Sequence, residues 1–313
     1  MESGRTLLSI VSPMWNEEES ADAFLEELTR QVDLIPDTDV EIIIVNDGSA
    51  DRTGEILNSW AKRRPDITVL SLSRNFGHQA AITAGVFSAT GDVVIVMDSD
   101  LQDPPDLIPA MLEKWRTGAD VVYAVRKERR GESAFKRGTA SAYYRLLRWM
   151  SDTDIPADTG DFRLMSREVV EALRSMPERD RYMRGMVAWV GFTQEPLYFD
   201  RSERFAGTTK YSMKKMVKLG TAGILGFSDK PLYLAVASGF IVMGVAFLGL
   251  IWVLLSSIFG WGDLVRGWAS IALIVMFFAA VQLIFLGVIG IYISHVFTET
   301  KQRPLFIIRN PRK

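Results

Sequence analysis

Cysteine is absent from this chain of 313 residues, and histidine occurs only twice, at His78 and His295. The lack of cysteine excludes disulfides, zinc–thiolate sites and cysteine nucleophiles. Two histidines are too few for a multi-histidine metal centre. Any bound metal is therefore expected to have mainly oxygen ligands, which favours Mg²⁺ or Mn²⁺. The formal net charge of −2 gives no basic excess, so no nucleic-acid partner is expected.

Short apolar runs alternate with helical patterns over residues 1–130. The runs are rich in Val and Ile, as strands buried on both faces should be. The predicted strands are Leu7–Pro13, Val40–Asp47, Ile67–Ser73, Val93–Asp100 and Ala119–Arg126. The predicted helices are Ala21–Ile35, Arg52–Arg64, His78–Ala89 and Asp106–Arg116. This alternation predicts an α/β domain with a mostly parallel sheet and helices on both faces.

Two stretches near the C-terminus, Leu232–Phe259 and Trp268–Ser294, contain no charged residue. Each exceeds the roughly 20 residues that a helix needs to cross a bilayer, so a transmembrane hairpin is predicted. Basic residues flank the pair on its outer sides, whereas the linker Gly260–Gly267 has only Arg266. The positive-inside rule then puts both ends of this multi-pass segment, and the large N-terminal domain, in the cytoplasm.

Polar residues cluster where the predicted strands end. The clusters are Pro13–Glu17, Asn46–Ser49, Ser73–Asn75 and Asp98–Asp100, with Arg126 at the end of the fifth strand. Any one of them fits a helix cap. In an open parallel sheet, however, ligands bind beyond the carboxyl ends of the strands. Polar residues from the ends of five strands on one rim therefore favour a binding site.

Asp98 and Asp100 are the sharpest feature of this rim. They directly follow the apolar run VVIVM, and two adjacent anions disfavour each other unless a cation neutralises them. A divalent metal does so and also bridges a diphosphate. The pair therefore predicts a metal site, with Gln102 and Asp103 close behind it in the sequence.

Several runs together resemble family 2 glycosyltransferases of the GT-A (Rossmann-like) fold. More narrowly, they resemble polyprenyl-phosphate sugar transferases, namely dolichol-phosphate mannose synthase and, more closely, bactoprenol glucosyltransferases. The runs that carry the resemblance are Ser9–Pro13, Asn16–Glu18, Val45–Ser49, Leu72–Gly77, Asp98–Pro105, Thr159–Leu164 and Arg204–Tyr211. The two C-terminal spans fit the same subgroup.

The resemblance implies roles for individual residues. The nucleotide-sugar set is Pro13, Trp15, Glu17, Asp47, Arg74, Asp98 and Gln102, where Trp15 replaces the usual tyrosine. The metal set is Asp98 and Asp100, and the catalytic set is Asp161 and Asp100. The cations for the lipid phosphate or the leaving diphosphate are Arg126, Arg137, Arg204 and Lys210. For Asp161, a cap or a partner of Arg163 remains the alternative. His78 lies just after a strand end, and for it a capping or packing role is favoured over a contact with the substrate.

The resemblance also implies a domain plan. Residues 1–211 are expected to form the cytoplasmic GT-A catalytic domain. Residues 212–230 are expected to form amphipathic juxtamembrane helices, either on the membrane surface or packed on the domain. Residues 231–295 contain the two spans, about 232–259 and 268–294, and residues 296–313 form a basic cytoplasmic tail. Small residues in the spans predict a homo-oligomer, a tetramer by resemblance.

The expected reaction transfers a hexose, glucose from UDP-glucose, to polyprenyl (undecaprenyl) phosphate with inversion. The lipid-linked sugar would then serve the modification of surface glycans. GDP-mannose or another donor stays open as an alternative. A non-catalytic membrane scaffold for lipid-linked sugars is an alternative of a different class. A dinucleotide oxidoreductase would need G-x-G-x-x-G after the first strand, where this chain has Pro-Met-Trp-Asn-Glu.

Overall fold

The computed structural model describes residues 5–126, 159–179, 181–199 and 268–309, together with scattered positions between 237 and 259. Its strands are β1 (Thr6–Met14), β2 (Thr38–Asn46), β3 (Ile67–Ser71), β4 (Val93–Val96), β5 (Val121–Arg126), β6 (Thr159–Ser166) and β7 (Gln194–Phe199). Its helices are α1 (Ala21–Val32), α2 (Thr53–Arg63), α3 (His78–Ser88), α4 (Ile108–Arg116), α5 (Arg167–Ser175), α6 (Met183–Trp189) and α7 (Trp268–Thr300).

The seven strands form one sheet in the order β3-β2-β1-β4-β6-β5-β7. The β3–β2, β2–β1, β1–β4 and β5–β7 pairs are parallel. Strand β6 runs antiparallel to both of its neighbours, β4 and β5. Strands β1 to β5 therefore end at the same rim, and β6 begins there.

Helices cover both faces of this sheet, as the alternation in the sequence predicts. On one face, α1, α2 and α4 bury Phe24, Leu57 and Met111 against strand residues such as Ile10. On the other face, α3, α5 and α6 pack against strand residues such as Val11. Successive strand residues point to opposite faces, so strands that are buried on both sides must be apolar throughout. The continuous Val/Ile runs meet this requirement.

The five predicted strands are all present, with shifted ends. Strand β4 ends at Val96 rather than at Asp100, so the carboxylate pair lies wholly in the following loop. The predicted fourth helix begins as a 3₁₀ turn at Pro105–Leu107 before α4. The sequence did not indicate the insertion of β6 between β4 and β5.

The C-terminal part of the described chain is helical. Residues Phe277–Thr300 within α7 are long and apolar enough to cross a membrane, and they are the single such segment among the described residues. Helix α7 covers the second predicted span and continues past Ser294 to Thr300. The first predicted span lies mostly outside the described residues, and its described positions, from Ala237 to Phe259, are helical. The two-helix hairpin stays a prediction.

The chain after α7 returns to the α/β domain and extends the sheet at β3. Leu72 and Ile308 form an antiparallel bridge. Ser73 N–H donates to the Ile307 carbonyl at 2.8 Å, and Arg309 N–H donates to the Ser71 carbonyl at 2.7 Å. Sheet edges offer unpaired backbone groups, and the tail occupies this edge at the end of β3 that faces the rim.

Candidate active site

The loop after β1 is tied to the loop after β2. Asn16 N–H donates to Ser49 Oγ at 3.0 Å, and Asn16 Oδ1 accepts from Ala50 N–H at 2.9 Å. Glu17 N–H donates to Thr53 Oγ1 at 2.9 Å. Asn16 has a φ of 53°, a left-handed conformation that asparagine adopts more readily than most residues. These bonds fix the first of the rim loops.

Three of the predicted nucleotide-binding residues belong to this first segment. Pro13 is buried in β1, where it pairs with Val45 of β2. Trp15 follows the strand and is 43% exposed. The Glu17 carboxylate accepts from Ser20 Oγ at 2.9 Å, next to the start of α1. The segment therefore presents an aromatic ring and a carboxylate at the rim.

The fourth of these residues, Asp47, stabilises the loop before α3 through two hydrogen bonds. Its Oδ1 accepts from Phe76 N–H at 2.7 Å, and its Oδ2 accepts from Gly77 N–H at 2.9 Å. Burial raises the pKa of Asp47, although these two bonds oppose the shift. The adjacent Gly48 has a φ of 65°, and a Cβ there would lie 2.4 Å from the Arg74 carbonyl carbon. Only glycine permits this approach of the two loops.

The loop after β4 carries the carboxylate pair. Asp98 and Asp100 are partly buried, whereas Gln102 and Asp103 are buried. Gln102 N–H donates to Asp100 Oδ1 at 3.1 Å, and Asp98 N–H donates to Asp103 Oδ2 at 3.4 Å. The two predicted metal ligands are thus held in one compact turn.

Asp161 reaches the same rim from the antiparallel strand. In the register of β4 with β6, Val96 pairs with Arg163. Continued by two residues, this register places Asp98 opposite Asp161. Asp161 is buried, with only 5% of its side chain exposed. A residue at the beginning of β6 therefore meets the residues that follow the end of β4.

Four charged side chains form a row across this rim. Arg184 of α6 donates from Nε to Asp161 Oδ1 at 2.8 Å and from Nη2 to Asp161 Oδ2 at 3.1 Å. His78 Nε2 lies 3.0 Å from Asp161 Oδ2 and 3.6 Å from Asp98 Oδ1. We call Arg184, Asp161, His78 and Asp98 the charged row. It runs from α6, through β6 and α3, to the predicted metal ligands.

The two carboxylates of the charged row have pKa values that are shifted in opposite directions. Burial alone would raise the pKa of Asp161, but the charge of Arg184 and the hydrogen bonds from His78 and Arg184 hold that pKa well below its usual range. Burial raises the pKa of Asp98, and the charges of Asp161 and Asp100 add to the shift while His78 opposes it. Asp161 is therefore a firmly ionised group, whereas no cation among the described residues fully offsets the burial of Asp98.

His78 is the cation between them. Burial alone would lower the pKa of its imidazole, but the hydrogen bond to Asp161 and the charges of Asp98 and Asp161 raise it to about 9. The side chain is therefore a cation at neutral pH. A capping or packing role was expected for His78, and the structure adds a direct contact of its ring with the predicted catalytic carboxylate.

The residues present fit a divalent ion whose ligands come partly from the protein and partly from a substrate. Within the described ranges, no group of three or more histidine, aspartate or glutamate side chains is arranged to hold a metal. Asp98 and Asp100 supply two carboxylates of the hard-oxygen type that Mg²⁺ and Mn²⁺ prefer. Mg²⁺ commonly binds through one or two carboxylates together with substrate phosphates. A two-carboxylate site suits that mode of binding.

The structure describes only two of the five predicted cationic residues. Arg74 is exposed, donates from Nη1 to the Asn75 carbonyl at 3.0 Å and covers the ring of Phe76 at 4.1 Å. Arg126 is the last residue of β5 and pairs with Phe199 of β7. Three further predicted cations lie outside the described residues, namely Arg137, Arg204 and Lys210.

The strands and loops that form this rim match a known protein family. The model of the family described as "Glycosyl transferase family 2" matches residues 9–174, which is more than half of the chain. The chain belongs to this family. The matched stretch contains the predicted metal ligands and Asp161, and a mostly parallel α/β sheet of GT-A type underlies it.

Two curated relatives of this family 2 chain match almost end to end. The "Prophage bactoprenol glucosyl transferase homolog" of Escherichia coli K12 is 41% identical over 98% of this chain and 99% of its own length. The "Bactoprenol glucosyl transferase" of Shigella phage SfV is 40% identical over the same shares. Among solved structures, a Pyrobaculum calidifontis mannosyltransferase in complex with GDP-Man and Mn²⁺ is 17% identical, with a TM-score of 0.48 over 95% of this chain and 84% of its own.

The sequence of this family 2 chain did not indicate Arg184, and Arg163 had been only the alternative partner for Asp161. Asp161 pairs with Arg184 rather than with Arg163, whose Nη2 donates to the Gly160 carbonyl at 2.9 Å. Burial lowers the pKa of Arg163 to about 10. No motif in the sequence marks Arg184. For the contact of His78 with Asp161, the one signal in the sequence is the position of His78 just after a strand end.

Proposed function

We propose that this chain transfers a hexose, glucose from UDP-glucose, to polyprenyl (undecaprenyl) phosphate with inversion at the anomeric carbon. The observation that carries the proposal is the near end-to-end identity of about 40% to proteins named as bactoprenol glucosyl transferases. The apolar helix segment Phe277–Thr300 supports it, because a polyprenyl substrate is confined to a membrane. The multi-pass inner-membrane topology and the cytoplasmic catalytic domain are part of this proposal.

In the proposed reaction, the bond between the anomeric carbon and the nucleotide diphosphate breaks, and the nucleoside diphosphate leaves with the electron pair. A phosphate oxygen of the lipid forms the new bond on the opposite face of the sugar. A phosphate monoester already carries about −1.5 to −2 charges at pH 7. No strong base is then needed to create the nucleophile.

The charged row suits this chemistry. The low pKa of Asp161 makes it a poor proton acceptor but a stable, fixed carboxylate. Its proposed role is therefore to orient the reacting groups rather than to remove a proton. His78 and Arg184 place positive charge beside the point where phosphate groups would meet, and preorganised charge of this kind stabilises a transition state.

Asp98 and Asp100 are the proposed ligands of Mg²⁺ or Mn²⁺, with Gln102 beside them. When bound, such an ion would neutralise the charge that develops on the leaving diphosphate. Pro13, Trp15, Glu17, Asp47 and Arg74 are the proposed contacts for the nucleotide. Arg126, Arg137, Arg204 and Lys210 are the proposed contacts for the lipid phosphate or the leaving group. The proposed assembly is a homo-oligomer, with a tetramer expected.

Sugar transfer by the purified full-length chain tests this proposal. The assay uses radiolabelled UDP- and GDP-sugars, polyprenyl phosphate and either Mg²⁺ or Mn²⁺, with Asp100→Ala as the inactive control. Transfer from UDP-glucose alone, lost in the variant, is the expected result. Transfer from GDP-mannose would replace glucose with the alternative donor. Folded protein that transfers no sugar from any donor would favour the non-catalytic scaffold.

A further inference from the structure

Besides its positive charge, Arg184 supplies the shortest contact in the charged row. Its Nε and Nη2 each donate to a different oxygen of Asp161, at 2.8 and 3.1 Å. Two parallel bonds between a planar guanidinium and a carboxylate fix both the place and the plane of that carboxylate. A lysine, which is a point charge on a flexible stem, cannot do so.

The placement of Arg184 argues against a purely structural ion pair. A buried ion pair contributes little net stability compared with apolar packing, so stability alone is a weak reason for it. The Arg184 side chain is 27% exposed, and its Nη1 makes no hydrogen bond within the described residues. The pair thus lies at the boundary between the buried sheet and the open rim, where its carboxylate faces His78 and, through it, Asp98.

The elements that carry the charged row are also fixed to each other. Met183 N–H donates to Gln79 Oε1 at 2.8 Å, so the residue before Arg184 is tied to the residue after His78. Helices α3 and α6 therefore hold Arg184 and His78 on either side of Asp161. The carboxylate is held from two directions by side chains from two helices that are themselves linked.

We infer that Arg184 is a positioning residue, which holds the Asp161 carboxylate in the orientation required for sugar transfer. This inference rests on the proposed function. Arg184 acts through Asp161. Its replacement is therefore expected to lower kcat more than it lowers the affinity for the nucleotide. The proposed nucleotide contacts lie at the end of β1 and on the loops after β1, β2, β3 and β4, and Arg184 donates to none of them.

The test compares Arg184→Gln and Arg184→Lys with the wild-type full-length chain in sugar transfer. Arg184→Gln is expected to lower kcat about 10²-fold, the cost of a misplaced catalytic group. Arg184→Lys keeps the positive charge but cannot make the two parallel hydrogen bonds. Its kcat is expected to lie between those of the wild type and Arg184→Gln. The matched control is Arg30→Gln, which breaks a pair with Glu27 on the distant helix α1 and should leave kcat unchanged.

Two further measurements separate positioning from folding. Binding of the nucleoside diphosphate in the presence of Mn²⁺ should change by less than about 3-fold in both variants, a difference of under 1 kcal/mol. Thermal unfolding reports how much folded protein each variant retains. If Arg184→Gln does not fold, Arg184→Lys decides the matter through its kcat per folded molecule.

Wild-type kcat per folded molecule in either variant would overturn the inference, because a structural residue affects only the amount of folded protein. The proposed function is judged separately, by the wild-type protein in the same assay. Wild-type protein that transfers sugar while the variants match it contradicts the positioning role alone. Wild-type protein that transfers no sugar contradicts the proposed function and the inference together.

Discussion

Asp98 and Asp161 share one histidine: His78 Nε2 lies 3.6 Å from the first carboxylate and 3.0 Å from the second. The two aspartates are far apart in sequence: Asp98 follows β4, whereas Asp161 lies in β6, which runs antiparallel to β4. The reversal of β6 brings its first residues to the rim where the parallel strands end. A predicted metal ligand and a predicted catalytic residue therefore belong to one electrostatic unit.

Replacement of Asp161 by asparagine removes the charge but keeps the size of the side chain. We expect kcat for sugar transfer to fall about 10²-fold or more, because a preorganised charge near the reacting centre is lost. Steady-state transfer with the preferred donor measures this change. Asp33→Asn, which weakens a surface pair with Arg64, is the control and should transfer sugar normally. Near wild-type turnover of Asp161→Asn would remove Asp161 from the catalytic set.

Asp100→Ala tests the metal site through binding rather than turnover. Loss of one of two carboxylates should raise the Mn²⁺ concentration needed for nucleotide binding at least about tenfold, since even indirect partners of a metal matter at this level. A titration of nucleoside diphosphate binding against Mn²⁺ measures this. The nearby exposed Asp106→Ala serves as the control. An unchanged titration curve for Asp100→Ala would place the metal elsewhere or remove it from the account.

The tail that pairs with β3 can be tested at a single backbone bond. Arg309→Pro removes the N–H that donates to the Ser71 carbonyl, whereas Arg309→Ala keeps it. We expect the proline variant to lose about 1 kcal/mol of stability and the alanine variant to lose much less. Hydrogen exchange at the Ser73 amide, which donates to Ile307, should speed up only with proline. Equal exchange in both variants would mean that the tail does not pair with the sheet edge in solution.

The ionisation of Glu41 should make the stability of the fold depend on pH. Its carboxylate accepts from Ser9 Oγ, from Thr90 N–H and Oγ1, and from Gly91 N–H. Burial raises the pKa of Glu41, but these bonds outweigh it and lower the pKa below the usual value. A depressed folded-state pKa stabilises the fold above the unfolded-state pKa, and this stabilisation is lost as the pH falls through the folded value.

Glu41→Gln should therefore unfold more easily than wild type at pH 7, by about 2 kcal/mol, which is typical of hydrogen bonds to charged groups. The difference should shrink as the pH falls below about 4.3, where a free glutamate carboxyl group takes up its proton. Unfolding of the full-length chain at several pH values measures both effects. A difference between the two proteins that is constant with pH would contradict the assigned role of the Glu41 charge.

The sequence was a good guide where one strand or helix decides the outcome. Strands such as β1 and β2 are apolar along their whole length, and the polar residues that follow them could be assigned to one rim from general rules of parallel sheets. Asp98 and Asp100 could be proposed as a metal pair because two carboxylates directly follow a buried strand, and this assignment stays a prediction. These predictions needed only local patterns and their spacing.

Contacts between distant segments could not be predicted in this way. The pairing of Asp161 with Arg184 depends on the antiparallel insertion of β6 and on the position of α6, and neither has a local signature. The same holds for the bridge between Leu72 and Ile308, where the tail meets the sheet edge. His78 shows the intermediate case, because its place after a strand end was visible but its partner was not.

Mass spectrometry of the lipid tests the central claim most directly. The purified full-length chain is placed in a bilayer with undecaprenyl phosphate, and it is given UDP-glucose with Mg²⁺ or Mn²⁺. The account predicts that the lipid phosphate gains one hexose, and that Asp161→Asn abolishes most of this product. A lipid of unchanged mass, or release of free glucose without a lipid-linked product, would contradict it.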